Sequence, residues 1–485
     1  MNLETDASNN WLSFGDFRLV KLDATLATAE DYADLNTAIR TAEAKTLGFD
    51  KGEYAPYNNV EALTKLAEAK AINQSANNVQ EEIQTLTTEL NAASWTVNDS
   101  EVNAIYNGNF ALSTANETSG SDLDIPGWTP NGNIRQVIEN DVNGTFPALA
   151  ETTGGKAMFT WDGTFVYGEQ SGYELPLNAH TIYELSFKHA GWNGSNNNFY
   201  VKVTDDEGAV LPQQTCGKSN NGPQTAGCWN TYTIIFVTGN GGNHKLSMRP
   251  SGNSAFTDVT LYKADSQTLT FAEDGSTPKF AAGTYPTVAL DREFSTEKRS
   301  TMVLPFALTA DETSAAFEEV YELDAVDGQS IKLAEATEIE AGKPYLVKAK
   351  NAILSVTDKA LDPKTTVKNT EKSDASSTVT FVGRFSPVVL TAADNGNAYV
   401  VSNSTLYQVT SNVNVNAYRG YFTVDTTGGV GVKNFVLDFG NGETTSIEAL
   451  ESETRDKVIY NLAGQRVQKA QKGIFIVNGK KVVIK

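Results

Sequence analysis

Two cysteines, three histidines and four methionines are all that this 485-residue chain carries of those residues. Dispersed at His180, His189 and His244, the histidines cannot join two thiols in the four-ligand set of a structural zinc. Apolar runs are short as well. Thr233 to Thr238 and Thr301 to Leu308 are strand-length, far below the about 20 residues that span a bilayer. Basic residues are scarce: 38 Lys and Arg against 59 Asp and Glu give a net charge of −21. Such a chain repels phosphate backbones and anionic headgroups, so nucleic acid and membrane insertion are not expected.

The motifs of catalysis are missing too. There is no G-x-S-x-G elbow, no phosphate-cradling glycine loop and no histidine metal cluster. A glycoside hydrolase needs two carboxylates flanking one bond, and Asp122, Asp124, Asp162 and Glu169 are available. Acidic residues occur throughout this chain, however, and it is expected not to be an enzyme. It opens on the polar, acidic stretch Met1 to Asn10, not on a basic segment followed by an apolar one. A signal peptide is therefore expected to have been removed, or the chain is a fragment.

What is present is a sequence of segments with different periods. The length exceeds what one hydrophobic core serves and implies about three or four domains. Residues Trp11 to Leu22, WLSFGDFRLVKL, read as a lone strand that needs partners elsewhere. From 24 to 98 the period is helical. Val79, Ile83, Leu86, Leu90 and Ala93 lay one stripe along a helix, and Asn78 with Glu81 forms a capping-box pattern at its start. Leu26, Ala29, Leu35, Ile39 and Ala42 predict an earlier helix, and Val60, Leu63, Leu66 or Ala67, and Ala71 another between them. A three-helix spacer follows.

Residues 99–264 switch to strand alternation. Tyr183, Leu185 and Phe187 alternate with Glu184, Ser186 and Lys188, and Phe199, Val201 and Val203 with Tyr200, Lys202 and Thr204, as half-buried antiparallel strands do. The strand count fits a two-sheet jelly-roll β-sandwich. Residues 265–446 carry further strands, at Met302 to Leu308, Val320 to Leu323, Ile331 to Leu333, Tyr345 to Val347, Thr378 to Val382, Tyr399 to Val401, Tyr418 to Val424 and Phe435 to Phe439. Residues 447–485 form a last β unit, with a hairpin signal at Asn478-Gly479. From 451 onward eight Lys and Arg face three Asp and Glu, a basic tail on an acidic chain. The fold class is mainly β, with the helical spacer in front.

Cys216 and Cys228 sit in one Gly/Asn/Gln-rich loop. A pair closing a short loop fits a disulfide of about 2–3 kcal/mol and an oxidising compartment; two separate thiols are the alternative.

Several strings resemble known families. WLSFGDFRL is similar to the last strand of β-sandwich domains in Bacteroidetes glycan-degrading proteins, which implies that 1–23 closes a truncated upstream β domain. GFDKGEYAPYNNVEALTKLAEAK resembles helical spacer modules of bacterial surface proteins. AGKPYLVKAK, FVGRFSP and VNAYRGYF resemble a β-rich domain of Bacteroidetes surface proteins, and G-Q-x-V followed by K-G-x-[FY]-I-V resembles their C-terminal sorting domain. YNGNFAL, D-I-P-G-W and FTDVTLYK bracket the sandwich and resemble carbohydrate-binding modules of families four, nine and twenty-two.

Four of the six tryptophans fall in the sandwich: Trp128, Trp161, Trp192 and Trp229. Flat rings suit the C–H faces of sugars, with amides and carboxylates for the hydroxyls. Trp161 and Asp162, Tyr167, and Trp192 and Asn193, in turn-like surroundings, make the candidate binding surface; their other reading is as loop anchors, for which Trp128 in IPGWTPNG is the clearest case. The family resemblance further implies a structural calcium ion tying first strand to last, at Asn109 and Asp258 with Asn107 nearby. Calcium takes six to eight oxygens and favours carboxylates, so Asn109 is a poor donor there.

The expectation is a non-catalytic accessory region of a secreted or cell-surface glycan-utilisation protein. It would bind polysaccharide or host glycan beside an upstream catalytic domain of its parent. A purely structural stalk or adhesin-like protein is the first alternative, a glycoside hydrolase the second.

Overall fold

The computed structural model describes residues 24–485 except 115–123, 132–134, 140–145, 161–162, 192–196, 220–221, 251, 392–396, 427–434, 441, 443, 446, 450–458, 462–465, 468–472, 478–479 and 485. The chain is mainly β. Among the described residues no helix is long and apolar enough to cross a membrane.

Three helices come first, α1 (Ala29–Glu43), α2 (Val60–Lys70) and α3 (Gln80–Ala92). Leu35, Ala38 and Ala42 of α1, Ala69 of α2 and Ile83 and Leu90 of α3 share one buried cluster. Leu35 and Ala42 of α1 and Ile83 and Leu90 of α3 are on the stripes that the helical period predicts, whereas α2 buries Ala62 and Ala69 and leaves the expected Ala67 and Ala71 exposed. The predicted capping box is elsewhere. Asn78 does not cap α3; its amide donates to Tyr32 Oη at 2.8 Å and to Asn73 O at 2.9 Å. The box belongs to α1, where the Asp31 N–H donates to Thr28 Oγ1 and the Thr28 N–H to the Asp31 carboxylate. Leu26 lies outside the α1 stripe, 44% exposed, in a bridge to Val79.

The helical segment is seated on the sandwich. Phe49 and Ala55 from the α1–α2 connection join the sandwich core, and Tyr57 stacks on Tyr106 at 5.0 Å. The Asp50 carboxylate accepts from Lys263 Nζ at 2.9 Å and Asn178 Nδ2 at 3.2 Å.

The sandwich strands are β1 (Trp128–Asn131), β2 (Arg135–Glu139), β3 (Lys156–Thr160), β4 (Thr164–Tyr167), β5 (Leu175–Leu177), β6 (Ile182–Gly191), β7 (Asn197–Thr204), β8 (Ala209–Ser219), β9 (Asn230–Val237), β10 (Gly242–Pro250) and β11 (Ser254–Lys263). One sheet runs β1-β4-β10-β7-β8, with β5 also on β10, and the other β2-β3-β11-β6-β9. Both are antiparallel. The alternation read from sequence is the inward set: Leu185 and Phe187 from one sheet meet Phe199, Val201 and Val203 from the other, all buried. Large interlocking side chains on both inner faces are what hold two such layers together.

The segment from 265 packs onto this sandwich. Ile235 exchanges backbone hydrogen bonds with the 279–281 stretch, accepting from Ala281 N at 2.8 Å and donating to Lys279 O at 2.9 Å. Ile182 and Val237 join its buried cluster. It holds a three-stranded sheet, two six-stranded sheets and a two-stranded ribbon. The predicted strand 302–308 is shorter than expected. It ends at Val303, and a capped helix at Ala310–Ala316 follows, begun by Thr309 and Glu312. Glu273 accepts both arms of the Arg419 guanidinium, at 2.7 and 2.9 Å, with Arg292 Nε 3.6 Å away.

The last strands, Ile459–Asn461, Arg466–Val467, Gly473–Val477 and Lys480–Ile484, form a four-stranded sheet. Val477 pairs with Lys480, on the two strands that the hairpin signal at Asn478-Gly479 joins in sequence; those two residues lie outside the described residues. Residues 11–22 and Gly464-Gln465 of the sorting-like string lie outside the described residues.

Candidate functional site

Strand register decides which loops of the sandwich are neighbours. In the five-stranded sheet Ser254, the first residue of β11, pairs with Thr160 on one side and Gly191 on the other. These are the last residues of β3 and β6, and each strand then crosses to the other sheet, to β4 and β7. β3 and β6 therefore end on either side of a single strand, just before Trp161-Asp162 and Trp192-Asn193 in sequence. Those four residues themselves lie outside the described residues.

The turn out of β3 is tight. The Gly163 N–H donates to Thr160 Oγ1 at 2.7 Å, and a Cβ on Gly163 would lie 2.5 Å from that oxygen. Only glycine fits there.

On the receiving sheet the same end shows a polar outer row. Thr164 pairs with Asn131, Arg249 with Tyr200 and Tyr200 with Thr215. The Arg249 guanidinium stacks over the Tyr200 ring at 4.8 Å, an arrangement that holds an aromatic face and a fork of donors side by side. Ser247 and Lys202 pair one step further along. Tyr200 and Arg249 were not singled out from sequence. The signal was there, since both alternate with the buried Phe199, Val201 and Met248 and must face outward.

Tyr167 does not belong to this surface. It is fully buried, because β4 turns Phe165 and Tyr167 inward and Thr164 and Val166 outward. Its hydroxyl accepts the Tyr106 N–H at 3.1 Å, and burial pushes the phenol far above its usual range. Trp128 is likewise a core residue, packed on Phe110 at 5.6 Å, Tyr167 at 5.4 Å and Phe256 at 6.1 Å. Trp229 donates its indole N–H to Ala148 O at 2.8 Å, on the outer side of the five-stranded sheet.

Cys216 and Cys228 are not joined. Cys216 faces inward from β8 opposite Phe199, in the main core. Cys228 packs with Ala148 and Ala190 in a separate cluster. Both are buried thiols, packed in different clusters.

The calcium candidates do approach one another through the 153–154 turn. Thr153 donates its N–H to both Asp258 oxygens, at 3.0 and 3.1 Å, and a Cβ on Gly154 would touch Asn109 O at 2.5 Å. Their donors are already committed. Asn107 Oδ1 accepts from Leu112 N and its amide donates to Ser113 Oγ and Pro126 O; Asn109 Oδ1 accepts from Ala111 N. Asp258 binds Lys188 Nζ at 2.9 Å. One carboxylate facing an ammonium does not fit a divalent ion that wants six to eight oxygens. Among the described residues no group of three or more His, Cys, Asp or Glu is placed to hold a metal.

No family model matches this chain, and no curated protein does. Among solved structures, TmCBM61 in complex with β-1,4-galactotriose is 17% identical with a TM-score of 0.25, over 34% of this chain and 100% of that one. The bacteriophage CBA120 tailspike protein 4 enzymatically active domain is 14% identical with a TM-score of 0.23, over 34% of this chain and 22% of that one. The Clostridium thermocellum Xyn10B CBM22-1–GH10 modules complexed with xylohexaose are 17% identical with a TM-score of 0.20, over 34% of this chain and 30% of that one. This chain thus spans less than a third of the latter two. Likenesses at such TM-scores carry no functional inference.

Proposed function

We propose that the sandwich binds carbohydrate at the end where β3, β11 and β6 finish side by side. The observation that supports this reading is the pairing of Ser254 with both Thr160 and Gly191, the described residues that precede Trp161 and Trp192 in sequence. Trp161 and Trp192 would take sugar rings on their faces, and Asp162, Asn193 and Arg249 would bond hydroxyls. The chain then acts as a non-catalytic accessory region of a secreted or cell-surface glycan-utilisation protein, with polysaccharide or host glycan as ligand and a catalytic neighbour in the parent protein.

Affinity electrophoresis through gels loaded with plant and mucin polysaccharides tests it. Retardation is expected in at least one gel. Trp161→Ala and Trp192→Ala should each weaken it about tenfold, about 1.4 kcal/mol, with unchanged melting temperature. No retardation in any gel, or full retardation of both variants, refutes the site.

The stalk-like alternative draws on a different observation, the direct seating of the helical segment on the sandwich through Asp50, Lys263 and the Tyr57–Tyr106 stack. Absence of binding together with intact rigidity would favour it.

A further inference from the structure

We propose that Lys188 is the structural cation of this sandwich, so that the junction at Asp258 is held by an internal ammonium and takes no metal ion. Lys188 and Thr257 pair across β6 and β11. The next residue, Asp258, stands in a register shift of β11 with φ +51°, a left-handed conformation rare for a residue with a side chain. The bulge brings its carboxylate to Lys188 Nζ at 2.9 Å, and the same ammonium donates to Glu151 O at 2.7 Å.

One ammonium thereby links three segments: β6, the closing strand, and the end of the 3-10 turn Pro147–Glu151. The remaining bonds reinforce the junction. Thr153 N–H reaches both Asp258 oxygens, Thr257 Oγ1 donates to Lys156 O at 2.7 Å, and the following residue, Val259, donates its N–H to Gly108 O at 3.0 Å.

The local charge count leaves no room for a divalent ion. Asp258, at 12% side-chain exposure, is balanced by one lysine. Glu151, whose backbone oxygen Lys188 holds, commits its carboxylate to Gly227 N, accepting at 2.9 Å. A calcium ion would have to displace Lys188, with only one carboxylate to compensate its charge. A partly buried ammonium with two good acceptors is instead satisfied where it stands.

This holds whether or not the sandwich binds sugar, and thermal melting of the full chain tests it. Wild-type protein should melt at the same temperature in chelator and in millimolar calcium. Lys188→Met, which keeps the apolar stem, should melt about 3–8 °C lower, and Lys188→Arg should recover most of that loss. Should Lys188→Met not fold, Asp258→Asn provides the same reading, because it keeps the shape and removes the charge. A wild-type melting temperature raised by calcium would overturn the proposal, as would Lys188→Met and Asp258→Asn both melting like wild type.

Discussion

The Tyr167 hydroxyl accepts the backbone N–H of Tyr106 at 3.1 Å from inside the sandwich, tying the segment that leads in from the helices to a strand of the six-stranded sheet. The contact also explains why a tyrosine in a glycine-flanked, polar stretch is no surface residue. Its ring packs on Trp128 at 5.4 Å, and its one polar atom has found a partner, as a buried hydroxyl must.

Tyr167→Phe should therefore cost stability and leave ligand retention alone. The Tyr106 N–H loses its acceptor, a penalty of about 1–3 kcal/mol. Urea unfolding should show a lower midpoint at unchanged slope. A variant as stable as wild type would mean the bond does not anchor the segment.

His189 makes the sandwich sensitive to acid. It is fully buried and, among the described residues, neither ring nitrogen has a hydrogen-bond partner; Phe199 packs on it at 4.8 Å and Tyr232 at 6.3 Å. Burial pushes its pKa from 6.5 down to about 4. The folded protein keeps the ring neutral while the unfolded chain protonates it near its ordinary value. The stability is thus present above about pH 6.5 and is lost as pH falls towards 4, by at most about 1.4 kcal/mol per pH unit. His244, also lowered by burial, adds in the same direction. Denaturant midpoints measured across this range should fall less steeply for His189→Leu; an unchanged slope contradicts the assignment.

The two thiols should be silent in the native state. Burial raises Cys216 to about 12 and Cys228 to about 11, with Glu151 adding to the second. Thiolate is the reactive form, so a thiol-specific reagent should label neither until denaturant is added, and a reductant should leave the melting temperature unchanged. A drop on reduction would reveal a disulfide.

Local period was enough to read the buried face of α3 and the inward face of the sandwich. Ile83 and Leu90 along α3, and Leu185, Phe187, Phe199 and Val201 along β6 and β7, are spaced by the turn of a helix or the pleat of a strand, which a sequence displays directly. The closing hairpin, in which Val477 pairs with Lys480, was equally legible, because a short turn needs only its own residues.

Which partner a polar side chain takes was not legible, because partners are chosen by packing between distant segments. Asn78 carries the right pattern for a cap and is spent on Tyr32 and Asn73, whereas Thr28 and Asp31 form the box. Cys216 and Cys228 are near in sequence, but β8 turns one sulfur into the main core and the other packs over Ala190. The neighbourhood of the ends of β3 and β6, like that of Lys188 and Asp258, follows only from the register of β3, β6 and β11. Alternation along one strand fixes which face a residue takes; which strand lies beside it is decided by the tertiary fold.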